Sequence, residues 1–233
     1  MSSGLTILKR LLDELKSEAK QYKIKVSQNC FGMYKKEPSF FWRSVIRQDY
    51  SYSGEGILYR VEVSVVPPEF DDIRFMVTNP GEAIKFTDNL RANRGFAFYP
   101  ISERTYLYSD SENYNDSETL RNLAVSIINS VRCDISEFIK RLHDEYGDIF
   151  HYLVSLREQE PIMAGLAYIH FKDYSQAIDC FDFAEREGKY WRLCYGTLNR
   201  YFHHVCRDYC IAILHGISWD KSYVNCRPPF SSD

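Results

Sequence analysis

The residues best suited to chemistry sit near the end of the chain, in the run His203-His204-Val205-Cys206 with Cys210 four residues on. Read as a helix, His203, Cys206 and Cys210 step by three and four residues and share one face. Imidazole and thiolate are the donors a soft cation such as Zn²⁺ prefers, so this face is the candidate metal site. One straight helix usually supplies two bonds, which leaves His215 or Cys194 to complete the set. The alternative is an apolar stripe of Tyr201, Phe202, Val205, Cys210 and Leu214, with the cysteines acting as small hydrophobes.

Other chemistry finds little support. A Gly-x-Ser-x-Gly nucleophile elbow is absent. Ser53-Gly54-Glu55-Gly56 carries two glycines but lies between predicted strands, where a hairpin loop is expected rather than a phosphate cradle. The acidic pairs Asp71-Asp72 and Asp144-Glu145 read as solvated surface. No catalytic residue is assigned, no cofactor is expected, and the chain is expected not to be an enzyme. Arg43, Arg47, Arg60, Arg91 and Arg94 lie among Tyr50, Tyr52, Phe96 and Tyr99, as in a surface that stacks bases. Glu55, Glu62, Asp71, Asp72 and Glu82 interrupt it, and the formal net charge is −3, so no nucleic-acid partner is expected.

What remains is recognition of another protein. The 233 residues include 18 Tyr and 15 Phe, and aromatic residues together with Arg are enriched at binding hot spots. Arg91, Arg94 and Tyr99 are the candidates, in a stretch from Arg91 to Tyr108 that mixes Arg with Phe and Tyr. For Phe96 and Phe98 a place in the core is expected. No apolar run is long enough to span a membrane, and charges interrupt the N-terminal leucines where a signal peptide needs an apolar centre. The seven cysteines are odd in number and lack paired CxxC spacing. A cytoplasmic protein with reduced thiols is the expectation.

The elements that must position these residues follow from periodicity. Leu5, Leu8, Leu11, Leu12 and Leu15 predict an amphipathic first helix. Val26 to Tyr34, Phe40 to Tyr50 and the alternating run Ile57, Tyr59, Val61, Val63 and Val65 predict strands joined by short turns, hence antiparallel neighbours. Ile73 to Thr78 and Arg104 to Ser109 are weaker strand candidates, and Glu82 to Asn93 is a candidate short helix. From Ser117 the chain reads as helical: Leu120, Ala124, Ile127, Val131, Ile135, Phe138 and Leu142 step by three or four. A kink is allowed near Cys133, Gly147 is a stop, Asp148 caps the next helix and Pro161 opens another. The fold class is α+β: a meander of four or five strands with an N-terminal helix (1–115), then a helical region (116–233) packed on it as one compact unit.

Within that region Gly165-Leu166-Ala167-Tyr168, followed by Tyr174, Ala177, Phe181 and Ala184, resembles one tetratricopeptide repeat over 161–189. Pro161 stands where the family has Trp, Lys189 where it has Pro, and Lys172-Asp173 replaces the turn glycine. The resemblance implies two closely packed antiparallel helices. They are either a plain helical pair or a peptide-binding surface that includes Tyr168 and Tyr174. The whole layout is also similar to an uncharacterised bacterial family, on Phe31–Lys36, Phe40–Ile46, Ile57–Pro68 and the Gly165–Ala184 hairpin. By analogy with small bacterial proteins of this style, a toxin-neutralising, immunity-like role is the sharpest form of the binding expectation.

Overall fold

A computed structural model describes residues 4–29, 31–50, 56–80, 87–94, 98–109, 117–189 and 202–220. Their contacts group the chain into two compact units, Met1–Val66 with Thr87–Asp144, and Pro67–Phe86 with Glu145–Asp233. The fold is α+β, as expected, with an antiparallel meander, an N-terminal helix and a C-terminal helical region.

In the first unit, helix α1 (Gly4–Ala19) buries Ile7, Leu8, Leu11, Leu12, Leu15 and Ala19 along one stripe. The sheet runs β1 (Lys25–Ser27), β2 (Gly32–Lys36), β3 (Phe41–Tyr50), β4 (Gly56–Val66), β5 (Tyr99–Ser109), in that spatial order and antiparallel throughout. Alternation sorts its side chains. One face carries Met33, Trp42, Ser44, Ile46, Tyr59, Val61, Val63 and Val65, all buried. Helix α4 (Ser117–Arg141) packs against β4 and β5, and Phe40 meets its Phe138 edge-on at 5.5 Å.

The opposite face is divided. At one end Tyr34 and Phe41 stack at 5.8 Å, and the Arg43 guanidinium lies 3.8 Å from the Phe98 ring centre. Helix α3 (Asp88–Arg94) sits beside this cluster, since Arg43 donates to the Ala92 carbonyl and Tyr34 to Asn89. At the other end Arg60 stands between Asp49 (3.2 Å) and Glu103 (3.5 Å), a solvated ladder of charge. Gly32 is obligatory here: a Cβ at that position would lie 1.8 Å from the Ser44 carbonyl oxygen on β3.

In the second unit, α2 (Glu69–Thr78) corrects the strand expectation for Ile73 to Thr78. Pro67 and Pro68 lack the N–H that a sheet ladder needs. Glu69, Asp71 and Asp72 fall in the first turn, where carboxylates offset the positive helix end. Phe70, Ile73 and Val77 then recur at helical spacing and are buried. Helices α5 (Ile149–Ser155), α6 (Pro161–His170), α7 (Tyr174–Arg186) and α8 (Phe202–Leu214) pack each on the next, and α2 lies against α6 and α8. Phe70 meets Phe150 at 6.0 Å, Tyr209 donates to the Met76 sulfur, and the Trp219 indole donates to the Val77 carbonyl at 3.0 Å.

The predicted punctuation is present. Asp148 and Asp173 cap α5 and α7 by accepting from the His151 and Gln176 amides. Pro161 opens α6, and Gly147 has φ +80°. Helix α4 passes Cys133 without a break and gives way to one π turn at Leu142–Tyr146. The expected hairpin loop at Ser53-Gly54-Glu55 falls outside the described residues, as do 110–116 and the part of the Glu82 to Asn93 helix expectation that precedes Thr87. Among the described residues no helix is long and apolar enough to cross a membrane.

Candidate functional site

Helix α7 follows its Asp173 cap with an apolar stripe of Ala177, Cys180, Phe181 and Ala184. That stripe leaves Asp182 and Glu185 on the border with α8. Helix α8 buries Phe202, His203, Cys206, Tyr209 and Cys210. Where the two helices meet, the His203 Nε2 lies 2.6 Å from a Glu185 carboxylate oxygen, and the His204 Nε2 lies 3.2 Å from that same oxygen. One turn along, the Arg207 guanidinium pairs with Asp182.

The three side chains differ in exposure: His203 at 2%, His204 at 31% and Glu185 at 47%. The cluster is anchored inside and open to solvent on one side. Burial pushes the His203 imidazole below its usual value, against the upward pull of its hydrogen bond to Glu185. The hydrogen bond with His203 holds the Glu185 carboxyl below the usual range. In a neutral His203 the Nε2–H donates to the Glu185 carboxylate, and a cation would replace that proton once the ring takes its Nδ1–H tautomer.

The predicted trio is placed as follows. Cys206 and Cys210 are fully buried. Burial raises the Cys206 thiol well above its ordinary value and pushes Cys210 up to about 12, so both are protonated at neutral pH and pack as small hydrophobes. Among the described residues, the His/Cys/Asp/Glu group whose ligand atoms lie within 4.8 Å of one another is Glu185, His203 and His204. Only His203 is shared with the predicted set. Glu185 escapes a reading by spacing because it stands eighteen residues upstream on another helix, and only the packing of α7 against α8 brings it in. Cys194 is outside the described residues, and His215 is exposed.

Of the predicted recognition residues, Arg91 on α3 is 6% exposed, with its guanidinium 6.0 Å from the Phe41 ring centre. Arg94 ends α3, and its side chain lies outside the described set; Tyr99 opens β5 and is half-buried. Phe98 is in the core, as expected, while Phe96 is outside the described residues. Tyr168 and Tyr174 are half-buried, and the Tyr174 ring meets Tyr209 at 6.1 Å.

A second feature has no counterpart among the sequence expectations. Strand β5 spans eleven residues and, among the described residues, pairs only with β4. Beside it Ile101, Ser102, Asp134, Glu137, Phe138 and Arg141 line a cleft of roughly 260 Å³ between strand and α4. Inside, Asp134 accepts from Ser102 at 2.7 Å and from the Arg104 Nε at 3.1 Å.

Compared with protein-family models, with curated proteins and with solved structures, the chain matches none.

Proposed function

We propose that this chain is a non-enzymatic, cytoplasmic protein that binds another protein, and that it takes an extended segment of its partner as an added strand on β5. The observation that carries this reading is the long edge strand alongside the α4 cleft. An edge strand presents a row of N–H and C=O groups ready to pair with another chain. Strand addition uses those groups for affinity and adjacent pockets for alternate side chains of the incoming segment. The cleft offers such a pocket, with Ile101 and Phe138 as its apolar part and Arg141 and Glu137 as charged groups.

The tetratricopeptide-like hairpin supports the same class of function less directly. Gly165 allows close approach, since a Cβ there would stand 2.6 Å from the Phe181 ring. Yet α2 already lies against α6 and α8, so peptide entry on that side competes with the chain's own helix. A toxin-neutralising role is the sharpest form of the proposal, and it requires a single stable partner.

The test is capture of the partner from native extract with the full chain, followed by amide hydrogen exchange of free protein and complex. In the free protein, alternate β5 amides are expected to exchange quickly because they face away from β4; in the complex they are expected to be protected. Arg141→Glu is expected to weaken capture several-fold, beyond the small loss of thermal stability expected from its contact with Phe138 and its place in the last turn of α4. Protection confined to other elements, with β5 unchanged, removes the strand-addition reading.

A further inference from the structure

We infer that Glu185, His203 and His204 form a binding site for one transition-metal ion of the Zn²⁺ class, held between α7 and α8. Neighbouring residues on a helix project about 100° apart, so His203 and His204 would ordinarily diverge. Here their ring centres are 4.1 Å apart, and both Nε2 atoms approach one carboxylate oxygen of Glu185 at 2.6 and 3.2 Å. Donors around a tetrahedral ion with bonds of about 2.0–2.2 Å stand roughly 3.3–3.5 Å apart. The three ligand atoms, all within 4.8 Å of one another, reach that spacing through side-chain adjustments of about an ångström. The ion takes the place now filled by the hydrogen bond between His203 and Glu185.

The donor set chooses the cation. Two imidazoles and a carboxylate suit Zn²⁺, Co²⁺ or Ni²⁺, whereas Ca²⁺ and Mg²⁺ require mostly oxygen donors. Three protein ligands with a solvent-facing side leave the fourth position to water. The Arg207–Asp182 pair one turn away adds a second polar link between α7 and α8. The site is independent of strand addition at β5, as it uses no residue of that edge.

The experiment is Zn²⁺ titration of chelator-stripped full-length protein, with a chromophoric competitor and thermal unfolding read on the same samples. One equivalent is expected to bind and to raise the unfolding temperature, because the ion binds the native arrangement. Glu185→Gln and His204→Ala change partly exposed groups and are expected to remain folded. Each should weaken that equivalent by at least about tenfold and remove its thermal shift, while Cys206→Ala leaves Zn²⁺ affinity unchanged. Co²⁺ on the unmodified protein should give visible bands without the intense near-ultraviolet absorption of a thiolate ligand. A thiolate band, or undiminished binding in both Glu185→Gln and His204→Ala, overturns the assignment, as does absence of Zn²⁺ binding by the unmodified protein.

Discussion

Asp134 is an acid on a buried face of α4, with its carboxylate satisfied from β5 by the Ser102 hydroxyl and the Arg104 guanidinium. Burial pushes that carboxyl up, but the hydrogen bonds and the guanidinium charge outweigh it and hold it below the usual range. A carboxyl with a depressed folded value contributes stability above its unfolded value, about 3.9, and loses that contribution as pH falls through the folded value. Asp134→Asn should therefore cost about 1–2 kcal/mol at pH 7, the lower part of the range for charged hydrogen bonds because Arg104 is half exposed. In urea unfolding the gap between variant and parent should shrink as the pH is lowered below about 4. Arg91 calls for a different measurement. Because it is 6% exposed and packs near Phe41, Arg91→Ala should lower thermal stability, by about 1–3 kcal/mol. An exposed recognition residue would leave the unfolding midpoint unchanged.

At the scale of elements, close approach decides which substitutions the sheet and hairpin tolerate. Gly32→Ala drives a Cβ into backbone, the Ser44 carbonyl, which cannot swing aside. The β2–β3 pairing should separate, and far-ultraviolet circular dichroism should report loss of cooperative folding. Gly165→Ala meets first the Phe181 ring, a side chain that can shift, so a cost of about 1–3 kcal/mol with the fold retained is expected. The alternation from Ile57 to Val65 and the stripe from Leu120 to Leu142 made β4 and α4 legible, because one period ran long enough to exclude the other. Ile73 to Thr78 was too short for that. Its helix shows only when Phe70 and the acidic first turn are read with it. The cluster at Glu185 was half legible: His203 stood out by type, but its partners depend on packing of α7 against α8. That β5 stands at the edge of the sheet among the described residues follows from the strand order, which no local pattern encodes.

The chain as a whole is threaded through its units out of order. Residues 67–86 leave the sheet unit after β4, and the chain returns at Thr87 to supply α3, β5 and α4. A fragment of residues 1–115 lacks α4, whose Leu120, Ala124, Ile127, Ile128 and Val131 are buried in the whole protein. It should show no cooperative thermal transition. A chain of residues 1–144 with 67–86 replaced by a short flexible linker should regain one, since loop length alone changes stability by only about 0.6 kcal/mol per doubling. The same threading sets a clock during synthesis. The roughly 75 residues from the end of β4 to the end of α4 take on the order of 4–15 s to translate at 5–20 residues per second. Through that interval the aliphatic and aromatic side of the nascent meander lacks α4, so depletion of holding chaperones is expected to lower the yield of native protein.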